Sequence, residues 1–95
     1  MVGRRIPVTA SGGPAWLEQA GDYCGPVMHD GRLCVFYLLP IARDADAPRG
    51  ARAIHWVAIP PHECVEHEDG TITLHGSIGN PHWHGYLERG VWRKC

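Results

Sequence analysis

Three residue pairs, Asp30-Gly31, Asp69-Gly70 and Arg89-Gly90, punctuate this 95-residue chain and constrain its fold more than any other feature. Glycine enters left-handed backbone conformations without steric cost, and Asp-Gly is the pair that a tight primed turn between antiparallel strands demands. The flanking residues agree. Asp30-Gly31 lies between Val27-Met28 and a β-rich run over residues 33–39, and Arg89-Gly90 separates Tyr86-Leu87 from Val91-Trp92. Asp69-Gly70 precedes an alternation in which Ile72 and Leu74 share one face and Thr71, Thr73 and His75 the other. Three hairpins predict a mainly β fold, a small antiparallel β-sheet with a barrel-like or sandwich-like form.

A further strand is expected over residues 53–59, where Pro60-Pro61 ends it because neither proline can donate to a ladder. At most one short helix is expected, over residues 13–21, with Pro14 in its first turn and Gly21 as its C-terminal cap. Residues 42–52 mix small residues, opposite charges, Pro48 and Gly50, and read as a solvated loop. The whole chain reads as a single domain, residues 1–95, with 1–24 as an N-terminal extension and 25–95 as the hairpin-built core.

Apolar residues make up 44% and charged residues 20% of the chain, a folded rather than disordered composition. Its length suffices for one modest core, so a metal is optional rather than required. The formal net charge of −1 offers no electrostatic case for nucleic-acid or membrane binding. No stretch approaches the roughly 20 apolar residues of a membrane span, and the basic N-terminus lacks the apolar segment of a signal peptide. The expected compartment is therefore the cytoplasm. There Cys24, Cys34, Cys64 and Cys95 are expected as free thiols or metal ligands rather than disulfides, and none lies in a Cys-x-x-Cys pair.

The pattern with most chemical content is His82-Trp83-His84. On a strand over residues 82–88, His82, His84 and Tyr86 project from one face and Trp83, Gly85 and Leu87 from the other. Same-face neighbours stand about 6.6–6.8 Å apart, close enough for two imidazoles to converge on one ion with bonds near 2.0–2.1 Å. The same pair can equally face water with ordinary hydrogen bonds. Other donors are His62, Cys64 and His67, which form either a second half-site or a polar loop, and His29 at the mouth of the first hairpin, with Cys24 or Cys34. Glu63 and Glu66 flank the former group and could activate a metal-bound water. The chain has no phosphate-binding glycine loop, nucleophile elbow or His-Glu-x-x-His pattern. Trp16, Trp56, Trp83 and Trp92 read as core, since Leu17, Val57, Leu87 and Val91 beside them are core types.

"DGTITLHGSI" and "HGYLERG", within residues 69–92, resemble the distal half of a small bacterial and phage domain family. Its members carry a Cys-x-Cys-Gly knuckle, a stretch like Asp-Gly-Thr-x-Thr-Leu-x-Pro-Ser-Ile, and a closing strand like Cys-x-Ser-His-Phe-Trp-Ile-Arg-x-Gly. The likeness extends over residues 28–93, with His84 on the family histidine and Tyr86 on its aromatic. It implies a structural zinc set of cysteines and one histidine, and some members are encoded beside ubiquitin-transfer-like and deubiquitinase-like genes. This chain departs from the pattern, with Pro81 in place of the last cysteine and "MHDG" in place of the knuckle. What the resemblance leaves is His84, with His82 and His29 as substitutes beside the missing ligands.

Together these readings describe a small β-rich accessory or interaction domain with a protein partner, holding zinc through His84, His82, His29 and Cys64. The alternatives are a metal-dependent hydrolase with Glu63 or Glu66 as base, and a structural component of an assembly. The latter would be marked by an exposed apolar patch carrying Trp16 or Trp92.

Overall fold

Asp30 and Arg89 both take positive φ, 50° and 47°, and the glycine after each follows at 75° and 74°. Two successive left-handed residues make a type I′ turn, whose twist matches that of the strands it joins. These turns connect β1 (Tyr23–His29) to β2 (Arg32–Leu38) and β6 (Trp83–Glu88) to β7 (Val91–Lys94). The Asp69-Gly70 turn is one residue longer. Gly70 N donates to His67 O at 3.0 Å and His67 N to Thr71 O at 2.9 Å, with Gly70 at φ 86°. Asp69 Oδ1 accepts from Thr71 N at 3.0 Å and Thr71 Oγ1 at 2.6 Å, which fixes the loop between β4 (Glu63–Glu66) and β5 (Ile72–Asn80).

The computed structural model describes residues 1–40, 54–80 and 83–95. The loop expected over 42–52, and His82, lie outside them. The strand expected over 53–59 is β3 (Ile54–Ile59). The seven strands form two antiparallel sheets in the orders β1-β2-β3 and β4-β5-β6-β7, so the fold is mainly β. No helix occurs among the described residues, and the expected one over 13–21 does not form. Its competitor is Asp22, whose buried carboxylate accepts from the amides of Glu18 and Gln19 at 3.1 and 3.0 Å. The segment curls around that carboxylate, burying Leu17 completely and leaving Trp16 72% exposed.

β2 lies in the middle of its sheet and is buried on both faces, which explains its unbroken apolar run. Val35 and Tyr37 point between the sheets and pack with Tyr23, Ile72, Leu74, Trp83, Leu87 and Trp92. Cys34, Phe36 and Leu38 point outward and pack with Cys24, Val27 and Leu17, with Ile6 and Ala15 partly over them. Residues 1–24 therefore supply part of both cores. In β6 the expected alternation holds, with Trp83, Gly85 and Leu87 buried and His84, Tyr86 and Glu88 exposed. A Cβ at Gly85 would collide with the Arg93 carbonyl and the Trp83 ring, so only glycine lets β7 approach there.

The N-terminus also closes one side of the molecule. Val2 bridges to Val91 on the edge of β7, and Arg5 bridges to Tyr23 on the edge of β1. Gly3 N donates to Gly90 O, Trp92 N to Met1 O, Tyr23 N to Arg4 O, and Ile6 N to Tyr23 O. A single segment thus joins the two sheets edge to edge. Arg4 stays in register through two hydrogen bonds to Asp22, Nε to Oδ1 at 3.1 Å and Nη2 to Oδ2 at 2.8 Å.

Burial alone would push the Asp22 carboxyl up, but the hydrogen bonds from Arg4, Gln19 and Glu18 and the Arg4 charge together hold it below the usual carboxylate range. A lowered folded-state value adds stability that is present above about pH 4 and lost as pH falls through the folded value. Acid titration of the folded fraction should therefore show a transition below about pH 4 that Asp22→Asn removes. Asp22→Ala should cost about 1–3 kcal/mol by urea denaturation at neutral pH, because it leaves the Glu18 and Gln19 amides without their acceptor while the half-exposed Arg4 turns to water.

Candidate functional site

The donors singled out from the sequence are held apart. His29 ends β1 on the outer face of its sheet, edge-on to Phe36 with ring centroids 5.3 Å apart and Nε2 3.6 Å from Asp30. Cys64 sits half-buried opposite Leu74 on β4 and leans on the inter-sheet core. Burial, together with the nearby Glu66 charge, pushes its thiol up, against thiolate formation. Residues 63–66 are a strand rather than a loop, so alternation separates Cys64 from its neighbours. His67 Nε2 is bonded to Thr73 Oγ1 at 2.7 Å, and His62 lies against Gly76. Glu66 is paired with Arg5 at 2.6 Å. Among the described residues no three His, Cys, Asp or Glu side chains are grouped to hold an ion.

His84 occupies the exposed face of β6, opposite Gly79 on β5. On its other side lies Cys95, whose amide donates to His84 O at 2.9 Å and whose Sγ stands 3.9 Å from His84 Nδ1. The pair follows from the Arg89-Gly90 turn, since a two-residue turn sets residue 84 opposite residue 95, a proximity that ligand spacing along the chain does not show. Next along the same face, the Arg93 guanidinium lies over the Tyr86 ring at 5.9 Å and pairs with Glu88.

An open cavity of about 550 Å³ is lined by Arg5, Ile6, Pro7, Val8, Gly25 and Pro26. Among the described residues Arg5 is its only charged lining group, and that guanidinium is already engaged. It donates to Gly70 O at 2.8 Å, Gly25 O at 2.9 Å and Glu66 Oε1 at 2.6 Å. Arg5 is thus a staple between the N-terminal segment, β1 and the β4–β5 hairpin.

Part of the exposed apolar surface lies on β3. Trp56 on β3 stands opposite Phe36 on β2, and Ile54 stands opposite Leu38, so both lie on the outer face of the first sheet. The N-terminal segment covers that face over β1 and β2, while Trp56 remains 50% and Ile54 37% exposed. Trp83 and Trp92 are core, as expected, but Trp16 and Trp56 are not. Their neighbours Leu17 and Val57 take the inward positions, and strand alternation then turns Trp56 outward.

β3 is also an edge strand. Among the described residues, its backbone bonds to anything other than β2 reduce to His62 N on Ala58 O at 3.2 Å. On the inner face of β3, His55 stacks on Tyr37 with ring centroids 5.8 Å apart. Burial pushes the Tyr37 hydroxyl up to about 12 and pulls the His55 imidazole down.

Among models of known families, curated proteins and solved structures, none matches this chain.

A lowered imidazole value means that the folded state binds fewer protons than the unfolded one. His55 therefore adds stability that is full above about pH 6.5 and falls as pH drops through the folded value. Urea midpoints measured between about pH 7 and 5 should decline on acidification, and His55→Gln should flatten that decline.

Proposed function

We propose that this chain is a protein-interaction domain that captures an extended segment of a partner protein along the open edge of β3. The observation that carries this reading is the character of that edge. Isolated sheet edges are usually blunted by charge, proline or brevity, because unpaired backbone groups template further strands. The β4 edge has two of these devices, brevity at four residues and charge at Glu63 and Glu66. Residues 1–6 cover β1 and β7 in part. β3 reads Ile-His-Trp-Val-Ala-Ile, six residues with no acidic side chain, lysine, arginine or proline.

A segment adding to β3 gains main-chain hydrogen bonds for affinity, while Ile54 and Trp56 meet its alternate side chains for specificity. The ligand this selects is an extended, uncharged stretch with apolar residues at every second position. Partly exposed tryptophan suits such a role, since a rigid ring supplies contact area at little entropic cost.

Selection of a displayed random peptide library on the purified chain checks this reading. The expected result is enrichment of alternating apolar peptides that shift the amide resonances of residues 54–59. Their binding should weaken at least tenfold in Trp56→Glu and stay unchanged in Trp16→Glu. Selected peptides that bind Trp56→Glu as well as the parent, or that shift only resonances elsewhere, would overturn it.

A further inference from the structure

On the other sheet, we infer that His84 and Cys95 form half of a metal site for a soft or borderline divalent ion such as zinc, completed by the same pair from a second copy of this chain. This rests on the wet face of β6 and β7 and is independent of the β3 reading.

The argument begins with spacing. Zinc binds thiolate sulfur at about 2.3 Å and imidazole nitrogen at about 2.0–2.1 Å, so two such ligands on a tetrahedral ion stand roughly 3.5–3.6 Å apart. The Sγ of Cys95 and Nδ1 of His84 are 3.9 Å apart, within a small side-chain adjustment of that bite. The separation is held by backbone. Cys95 N bonds to His84 O at 2.9 Å, and the adjoining pair Gly85 and Lys94 continues the ladder. Both side chains point to solvent. An ion seated between them would be reached from outside without opening the core.

Two ligands leave a tetrahedral ion half-filled, and no third His, Cys, Asp or Glu among the described residues joins this pair. A two-fold axis through the ion supplies the rest, making a Cys2His2 set of the kind that zinc favours in closed sites. The flanks permit the approach. Gly79, opposite His84 on β5, carries no side chain to cover the imidazole. Along the face, the carboxylate of Glu88 is already matched by Arg93. Two thiolates offset the charge of the divalent ion itself. Thiol deprotonation releases one proton per cysteine as the metal binds, which makes assembly weaker as pH falls.

The test uses tag-free chain kept reduced with a non-thiol reductant and titrated with Co(II), then with Zn(II). Light scattering follows mass, and absorption follows the cobalt. The expected result is one metal per two chains, a thiolate-to-cobalt charge-transfer band with tetrahedral ligand-field bands, a doubling of mass, and reversal of both by EDTA. His84→Ala and Cys95→Ser should each abolish the metal-dependent doubling, while His29→Ala and Cys64→Ser leave it unchanged. Binding at one metal per chain without a mass change would overturn the inference. So would doubling that survives loss of His84 or Cys95, or the absence of cobalt–thiolate absorption. Any of those results would leave the β3 interaction untouched, since Trp56→Glu does not bear on this face.

Discussion

A single buried indole, Trp92, joins the three parts of this molecule. It projects from β7 into the space between the sheets, meets Trp83 edge-on at 5.8 Å within its own sheet, and leans on Tyr37 of the facing sheet at 5.6 Å. Its Nε1 donates to Gly21 O at 2.8 Å, tying in the loop that precedes β1. Glycine at position 3 gives the ring room, since a Cβ there would stand 2.7 Å from Nε1. Aromatic burial supplies the largest apolar area per residue, and the hydrogen bond spares the buried indole an unmet donor. With 95 residues to make a core, this concentration of contacts in one side chain is what lets two small sheets behave as one body.

The second organising constraint is what happens to strand edges. Two sheets of three and four strands leave four edges, and the chain treats them differently. Its first residues run along β7 and β1, and Arg4 and Arg5 lock that course to Asp22 and to Gly70, Gly25 and Glu66. β4 is short and acidic. Among the described edges, β1 is also long and uncharged but holds Pro26 and is partly overlaid by the first residues, so β3 is the edge that combines apolar composition with neither proline nor cover. The metal reading belongs to a different face and a different physical cause, the cross-strand placement of His84 and Cys95 by a two-residue turn.

Much of the fold was legible because its signals are local. A type I′ turn needs two consecutive left-handed residues, so Asp30-Gly31 and Arg89-Gly90 could be read directly. The alternation of Ile72 with Leu74, and of Trp83, Gly85 and Leu87 with His84 and Tyr86, follows from the two-residue period of a strand. The helix over 13–21 failed because a side chain outside the local pattern, Asp22, claimed the amides that a helix would have used. The tryptophans divided for a similar reason. Trp16 and Leu17 are adjacent and comparably apolar, and the shape of the outer core, which takes Leu17, decides between them.

The candidate sites divide along the same line. From the sequence alone come a mainly β antiparallel fold, its turns, the wet face carrying His84, and the list of available donors, because each depends on residues within a turn or strand of one another. Tertiary structure alone decided where the other donors lie. It turned Cys64 toward the core, bonded His67 to Thr73 and spent Glu66 on Arg5, whereas the meeting of Cys95 with His84 was already implied by the Arg89-Gly90 turn. It also left Trp56 on an undefended edge, since exposure depends on which strands find partners.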